Sequence, residues 1–101
     1  MRARALLRHD RHMARIVFTP QLRRFVEAPE FETDASTLRE GLDAAFAGHP
    51  RLRGYILDEQ GHLRPNVVIF VDGRRLREMR RLADPLSATS VVHVLQALSG
   101  G

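Results

Sequence analysis

A single amphipathic helix segment, with strand patterns on both sides of it, constrains the fold of this chain more than any other feature. Thr37 and Glu40 match a capping box, which marks the start of a helix. The apolar residues that follow recur at intervals of three and four and therefore share one helix face. They are Leu38, Leu42, Ala45 and Phe46. We expect Gly48 to adopt a left-handed helix end and Pro50 to prevent continuation.

Strand patterns lie on both sides of this helix. Residues typical of strands, β-branched and aromatic, cluster in two segments before the helix and three after it. These segments are 14–19, 30–33, 66–71, 74–76 and 91–95. Asp72-Gly73 follows the most apolar of them and favours a tight hairpin turn, whereas 21–26 is expected to be a loop or weak strand. The predicted class is α+β, a mixed four- to five-stranded sheet packed on one main helix.

The charge of the chain is concentrated at its beginning. The formal net charge is +4, and all 16 basic residues are arginine. Residues 1–12 hold four arginines and one aspartate, a net charge of +3, so residues 13–101 are nearly neutral. We interpret residues 1–12 as a basic N-terminal extension, which is either a disordered arm or an extension that arises from translation at an upstream start. Residues 13–95 are interpreted as one domain. The total charge therefore argues little for nucleic acid.

Several classes of protein are excluded by what the sequence lacks. Without cysteine there is no disulfide, thiolate metal site or cysteine nucleophile. The longest apolar run, 67–71, is too short to span a membrane, and no secretory signal is apparent. His49, His62 and His93 are scattered without an acidic cluster, so no metal site is expected. Phosphate-binding loops and nucleophile elbows are absent too. We expect a cytoplasmic carrier or substrate of enzymes rather than an enzyme.

Alternation along the later strands predicts an uncovered surface. If Val67, Ile69 and Val71 face the helix, the residues between them point to the opposite face of the sheet. The side chains placed on that opposite face are Val68, Phe70, Val91, His93 and Leu95. One helix covers only one face of a sheet, which leaves an apolar patch on the other. Either a partner docks on this patch or the coil of residues 74–90 folds across it.

The sequence stops at Gly100-Gly101, shortly after the last strand pattern. A C-terminal carboxylate is ionised near neutral pH and is a nucleophile toward phosphorus. Two residues without Cβ atoms can enter a narrow channel and adopt backbone angles that other residues avoid. We expect residues 96–101 to form a flexible tail whose tip takes part in chemistry.

Strands, a helix and further strands that lead into a terminal diglycine resemble the sulfur carrier proteins of the MoaD/ThiS type, which have the ubiquitin-like β-grasp fold. The segments that carry the resemblance are 18–24, 37–42, 50–54, 63–73 and 96–101. In that family an E1-like adenylating enzyme uses ATP and Mg to activate the C-terminal glycine. A sulfur donor then converts it into a thiocarboxylate, whose sulfur passes to a downstream acceptor enzyme in cofactor, thionucleoside or cysteine biosynthesis.

The resemblance implies roles for the C-terminal glycines and for a set of docking residues. Gly101 would bear the reactive carboxylate, and Gly100 would give access to it. The residues implied to dock on partners are Val68, Phe70, Leu95, Gln96, Ala97, Leu98 and Ser99. No catalytic residue, metal or permanently bound cofactor is implied, and neither nucleic acid nor a membrane is an expected partner. Many such carriers have Pro and Ala where this tail has Gln96 and Ser99. The sequence therefore does not identify the subfamily or the enzyme that accepts the sulfur.

Two alternatives remain. The chain would be a ubiquitin-like modifier if Gly101 were joined to other proteins, and the absence of lysine leaves the carrier no side-chain amine for conjugation to itself. It would instead be a basic nucleic-acid-binding β-grasp module if the diglycine were incidental. The densest basic cluster is Arg74, Arg75, Arg77, Arg80 and Arg81. A solvated face explains this cluster most simply, and an acidic protein partner ranks above RNA because no stacking aromatics are interleaved.

Overall fold

The five strand segments pair into one sheet in the computed structural model, which describes residues 13–97. The strands are β1 (Ala14–Phe18), β2 (Phe31–Thr33), β3 (Val67–Val71), β4 (Arg74–Arg75) and β5 (Val91–Gln96). Their order across the sheet is β2-β1-β5-β3-β4. The central neighbours β1 and β5 are parallel, whereas the other three pairs are antiparallel. The predicted α+β class with a mixed sheet is confirmed.

The main helix, α1 (Leu38–Gly48), begins as predicted but ends differently. Thr37 Oγ1 accepts a hydrogen bond from the Glu40 N–H at 3.2 Å. The reciprocal arm of the capping box goes to Ser36, whose N–H and O–H both donate to Glu40 Oε1. Gly48 was wrongly predicted to take a left-handed conformation. The helix ends at Gly48, and the next residue, His49, caps it by donating its N–H to the Phe46 carbonyl.

Two short helices were not predicted. They are α2 (Pro50–Ile56) and a 3-10 helix (Pro20–Arg24) where a loop or weak strand was expected. Both begin with proline, whose fixed φ suits a first helical turn and whose missing N–H would have no partner there. Both add fully buried side chains to the core, namely Leu22, Leu52 and Ile56. Segments of five and seven residues are too short to display helical periodicity.

The coil between β4 and β5 packs on the helix side of the sheet. It contributes the buried residues Leu76, Leu82 and Leu86 to the core. The main chain of this coil pairs with the start of α1, because the Leu38 N–H donates to the Asp84 carbonyl and the Arg39 N–H to the Leu82 carbonyl. The interpretation in which residues 74–90 fold across the opposite face is therefore wrong.

Candidate functional site

The predicted reactive residues Gly100 and Gly101 lie outside the described residues, as do the docking candidates Leu98 and Ser99. Ala97, directly after β5, is the last residue that the structure describes. The described part of the candidate site has two components. One is the sheet face away from the helices, called the outer face. The other, called the tail root, is the set of contacts that hold Gln96 and Ala97.

The outer face consists of alternate residues of the three central strands. They are Arg15, Val17, Val68, Phe70, Val91, His93 and Leu95. The register places His93 between Val17 and Phe70, and Val68 opposite Leu95. Leu95 is 43% exposed and Phe70 is half-buried, whereas the adjacent Val94 and Ile69 are buried. The predicted alternation is thus confirmed, and Val71, although only half-buried, packs against the core as expected.

A basic segment, residues 74–84, follows β3 and begins with β4 beside the outer face. Arg75 is paired with Phe70 in the β3–β4 ladder, which places it at the edge of the apolar surface. The acids of this segment bind backbone groups: Asp84 accepts from the N–H groups of Arg77 and Glu78, at 3.0 and 2.9 Å. Among residues 13–97, no carboxylate lies within ion-pair distance of the guanidinium groups of this segment. Arg75 therefore presents exposed positive charge beside the outer face.

Strand direction brings three distant segments together at the tail root. Since β1 and β5 are parallel, Thr19 follows β1 at the edge of the sheet where β5 ends. The Thr19 N–H donates to the Val94 carbonyl at 2.9 Å, and Thr19 Oγ1 donates to the same oxygen at 3.1 Å. Thr19 Oγ1 also accepts from the Gln96 N–H at 2.8 Å. Because β3 runs the opposite way, Asn66 reaches the same edge just before β3 begins.

Asn66 holds the last described residue at both of its main-chain polar groups. The Ala97 N–H donates to the Asn66 carbonyl at 2.9 Å, and Asn66 Nδ2 donates to the Ala97 carbonyl at 3.0 Å. Beside it, Gln96 Nε2 donates to the Tyr55 carbonyl. Gln96 is only 8% exposed, and its Oε1 has no hydrogen-bond partner among the described residues. Gln96, predicted to begin the tail, is thus the buried last residue of β5, and its role in docking stays a prediction.

Three residues of the tail root, Thr19, Tyr55 and Asn66, were not predicted as site residues. Thr19 and Gln96 are separated by 77 positions, and no local pattern links residues so far apart. The only available signal was a polar residue at the end of a strand pattern, which is also common in simple turns. The tail root therefore emerges only from the order and direction of the strands.

The titratable groups of residues 13–97 provide no metal centre. No three His, Asp or Glu side chains in that range are grouped so that they could hold a metal ion. The pKa of the Asp58 carboxyl lies below its usual value, chiefly because of a hydrogen bond from the His62 N–H. A second bond comes from the Gln60 N–H, so Asp58 closes a turn. In the same range, no helix is both long enough and apolar enough to cross a bilayer.

Comparison with protein families assigns the chain to a class. The model of the ThiS family matches residues 16–101, which include the tail root, the diglycine and all of the sheet except the first two residues of β1. The chain belongs to the ThiS family. This membership confirms the resemblance to ubiquitin-like sulfur carriers of the MoaD/ThiS type. No curated protein matches this ThiS-family chain in the sequence comparison.

Solved structures resemble the ThiS-family chain over nearly their full lengths. SAMP1 from Haloferax volcanii has a TM-score of 0.72 at 19% identity, over 87% of this chain and 98% of that one. A chain of the Amycolatopsis orientalis BexX/CysO complex has a TM-score of 0.70 at 19% identity, over 87% and 99%. Urm1 from Sulfolobus solfataricus has a TM-score of 0.63 at 16% identity, over 82% and 99%. At these identities the likeness establishes the fold, and the predicted ubiquitin-like β-grasp is confirmed.

Proposed function

We propose that this ThiS-family chain is a small sulfur carrier whose Gly101 carboxylate is adenylated and then converted into a thiocarboxylate. The observation that carries the proposal is the family match, which continues through the diglycine to Gly101. The chain itself supplies the acyl group and no catalytic residue. An E1-like adenylating enzyme supplies the active site, with ATP and Mg, and a sulfur donor and an acceptor enzyme complete the cycle.

The proposed chemistry has two balanced steps. A carboxylate oxygen of Gly101 attacks the α-phosphorus of ATP, so that an O–P bond forms and pyrophosphate leaves with the electron pair of the broken bond. Hydrosulfide released by the sulfur donor then attacks the acyl carbon, so that a C–S bond forms and the C–O bond to the phosphate breaks. AMP leaves with the electron pair of that bond, and the S–H proton passes to solvent to give the thiocarboxylate. Gly100 and Gly101 suit this chemistry because backbone without Cβ atoms can approach a nucleotide closely.

The outer face is the proposed docking surface for the adenylating enzyme. Val68, Phe70 and Leu95 form an apolar area that no described segment covers. Such an area on a small carrier favours association with a partner, and aromatic side chains commonly contribute the largest share of interface energy. Ala97, which is exposed beyond β5, extends this surface toward the C-terminal residues.

The basic border of the outer face indicates the charge of the partner. Arg75 lies beside Phe70, and the neighbouring acids are occupied by backbone N–H groups. We therefore propose that the adenylating enzyme presents carboxylates to this edge. Complementary charge of this kind accelerates encounter and weakens with added salt.

The proposed function is tested by intact mass spectrometry of the full chain. Co-expression with the adenylating enzyme and sulfur donor of the same organism should replace one oxygen by one sulfur at the C-terminus. Deletion of Gly101 should abolish the change, because the carboxylate then stands one residue short of the reaction centre. Gly54→Ala is the matched control, since no atom lies within 4 Å of the added Cβ. Unmodified wild-type chain under these conditions would contradict the proposal.

The same experiment separates a carrier from a protein modifier. Adducts of higher mass on other proteins, lost when Gly101 is deleted, would assign Gly101 to conjugation. Sulfur incorporation without adducts supports the carrier. The absence of lysine simplifies the measurement, because no side-chain amine of this chain can accept its own activated C-terminus.

A further inference from the structure

We propose that Asn66 is a positioning residue that fixes where the C-terminal segment leaves the domain. The inference rests on the proposed function, because the segment that Asn66 holds is the one delivered to the adenylating enzyme. Its structural basis is the pair of hydrogen bonds between Asn66 and Ala97. They extend the pairing of β3 and β5 by one step beyond the last ladder pair, Val67 and Gln96.

Asn66 is well suited to hold Ala97 because it is itself anchored. The Val67 N–H donates to the Arg64 carbonyl at 3.0 Å, which closes the turn that contains Asn66. Arg64 is joined to α2 by two hydrogen bonds, from its N–H to the Ile56 carbonyl at 3.0 Å and from Nε to the Gly54 carbonyl at 2.7 Å. The clamp on Ala97 is thus connected through the turn to the helical layer.

The residue before Ala97 is held from the other side. Thr19 Oγ1 accepts from the Gln96 N–H, and the Gln96 side chain is buried and bonded to the Tyr55 carbonyl. Gln96 is therefore fixed by Thr19 and Tyr55, whereas among residues 13–97 only Asn66 forms hydrogen bonds with Ala97. Loss of the Asn66 side chain removes one of the two hydrogen bonds to Ala97 and should therefore loosen Ala97 while Gln96 stays in place, which makes the effect local.

The clamp limits where an activating centre can meet the carboxylate. Four residues, 98–101, follow Ala97 and can span at most about 14 Å when fully extended. Loosening of Ala97 lets the chain beyond Gln96 leave the domain in more directions. The C-terminal segment is then correctly oriented in a smaller fraction of carriers. The apparent affinity for the adenylating enzyme falls in proportion to that fraction.

Asn66→Asp is the decisive variant. The side chain keeps its size and its suitability for a turn, but Asp cannot donate to the Ala97 carbonyl and places negative charge beside it. Gln60→Glu is the matched control because it makes the same change of charge at an exposed turn residue. The side-chain amide of Gln60 makes no hydrogen bond within residues 13–97.

The first measurement is hydrogen exchange of the Ala97 amide in the full chain, followed by NMR without any partner. Asn66→Asp should accelerate it about threefold to tenfold, the factor by which one net hydrogen bond shifts an equilibrium. The amides of Val92 and Val94, in the middle of β5, should keep wild-type rates in both variants. A change confined to Ala97 distinguishes local release from general destabilisation.

The second measurement is ATP–pyrophosphate exchange by the adenylating enzyme with the carrier as the varied substrate. Asn66→Asp should raise KM by about threefold to tenfold and leave kcat unchanged, because the held carrier and the released one react alike once seated. Gln60→Glu should behave as wild type. A loss in kcat at constant KM would mean that Asn66 does not act by orienting the segment.

Each outcome bears on one proposal. Equal Ala97 exchange in Asn66→Asp and wild type, or equal KM in Asn66→Asp and Gln60→Glu, overturns the positioning role. A wild-type chain that supports no ATP–pyrophosphate exchange counts against the proposed function instead. In that case the partner-free exchange measurement still decides whether the Asn66 side chain holds Ala97.

Discussion

The two faces of the sheet are made from alternate residues of the same strands, yet they are covered very differently. On the inner face, Ile69 and Val94 lie under the helices and the coil between β4 and β5. On the outer face, the adjacent Phe70 and Leu95 remain accessible. Strand alternation thus lets a short chain use one set of side chains for its core and the other for the proposed docking surface. This comparison predicts opposite phenotypes for neighbouring residues.

The largest expected effect is on stability, from the inner face. Ile69→Ala should lower the free energy of unfolding by about 2–5 kcal/mol, because it removes a buried side chain and leaves a cavity. Urea unfolding followed by circular dichroism measures this loss. Phe70→Ala, one residue away, should cost clearly less because Phe70 is only half-buried. Equal losses would mean that the two faces do not differ in their contribution to folding.

The next effect is on partner binding, from the outer face. Phe70→Ala should raise the KM for the adenylating enzyme about tenfold or more, since buried interface aromatics often contribute over 1 kcal/mol. Phe25→Ala is the control, because Phe25 is 52% exposed but lies outside the sheet. If both variants weaken the reaction equally, exposed apolar area in general, rather than the outer face, promotes association.

The smallest expected effect is at the Asp58 turn, which belongs to neither face. Hydrogen bonds from the His62 and Gln60 N–H groups lower the Asp58 pKa, so the ionised form stabilises the fold. This stability is present above the pKa of the unfolded chain and is lost as pH falls through the lowered folded value. The urea midpoints of wild type and Asp58→Asn should therefore converge in acid. A constant difference from neutral to acidic pH would contradict this assignment.

Elements with local signals were predictable from the sequence. The start of α1 depends on Thr37 and Glu40, which are three residues apart. The hairpin after β3 depends on Asp72 and Gly73, which both adopt the positive φ that such a turn requires, at 53° and 82°. Where the signal was weak the prediction failed: α2 is too short for periodicity, and Gly48 ends α1 without a left-handed conformation.

The candidate site was predictable only in part. The alternation that exposes Phe70 and Leu95 follows from the geometry of a single strand. By contrast, the burial of Gln96 depends on Thr19 and Tyr55, which precede it in the sequence by 77 and 41 residues. A sequence motif cannot describe such contacts, because they arise when a parallel and an antiparallel neighbour bring their ends to one edge of the sheet.

The sequence by itself determined the elements that form within a few residues, the two-sided character of the strands and the family, through segments that continue to the diglycine. Only the tertiary structure decided that the coil after β4 packs against α1, which leaves the outer face open. It also decided that Asn66 meets Ala97. Local hydrogen bonds and periodicity depend on residues that are close together in the sequence. The covering of one face of the sheet depends instead on contacts between residues far apart in the chain.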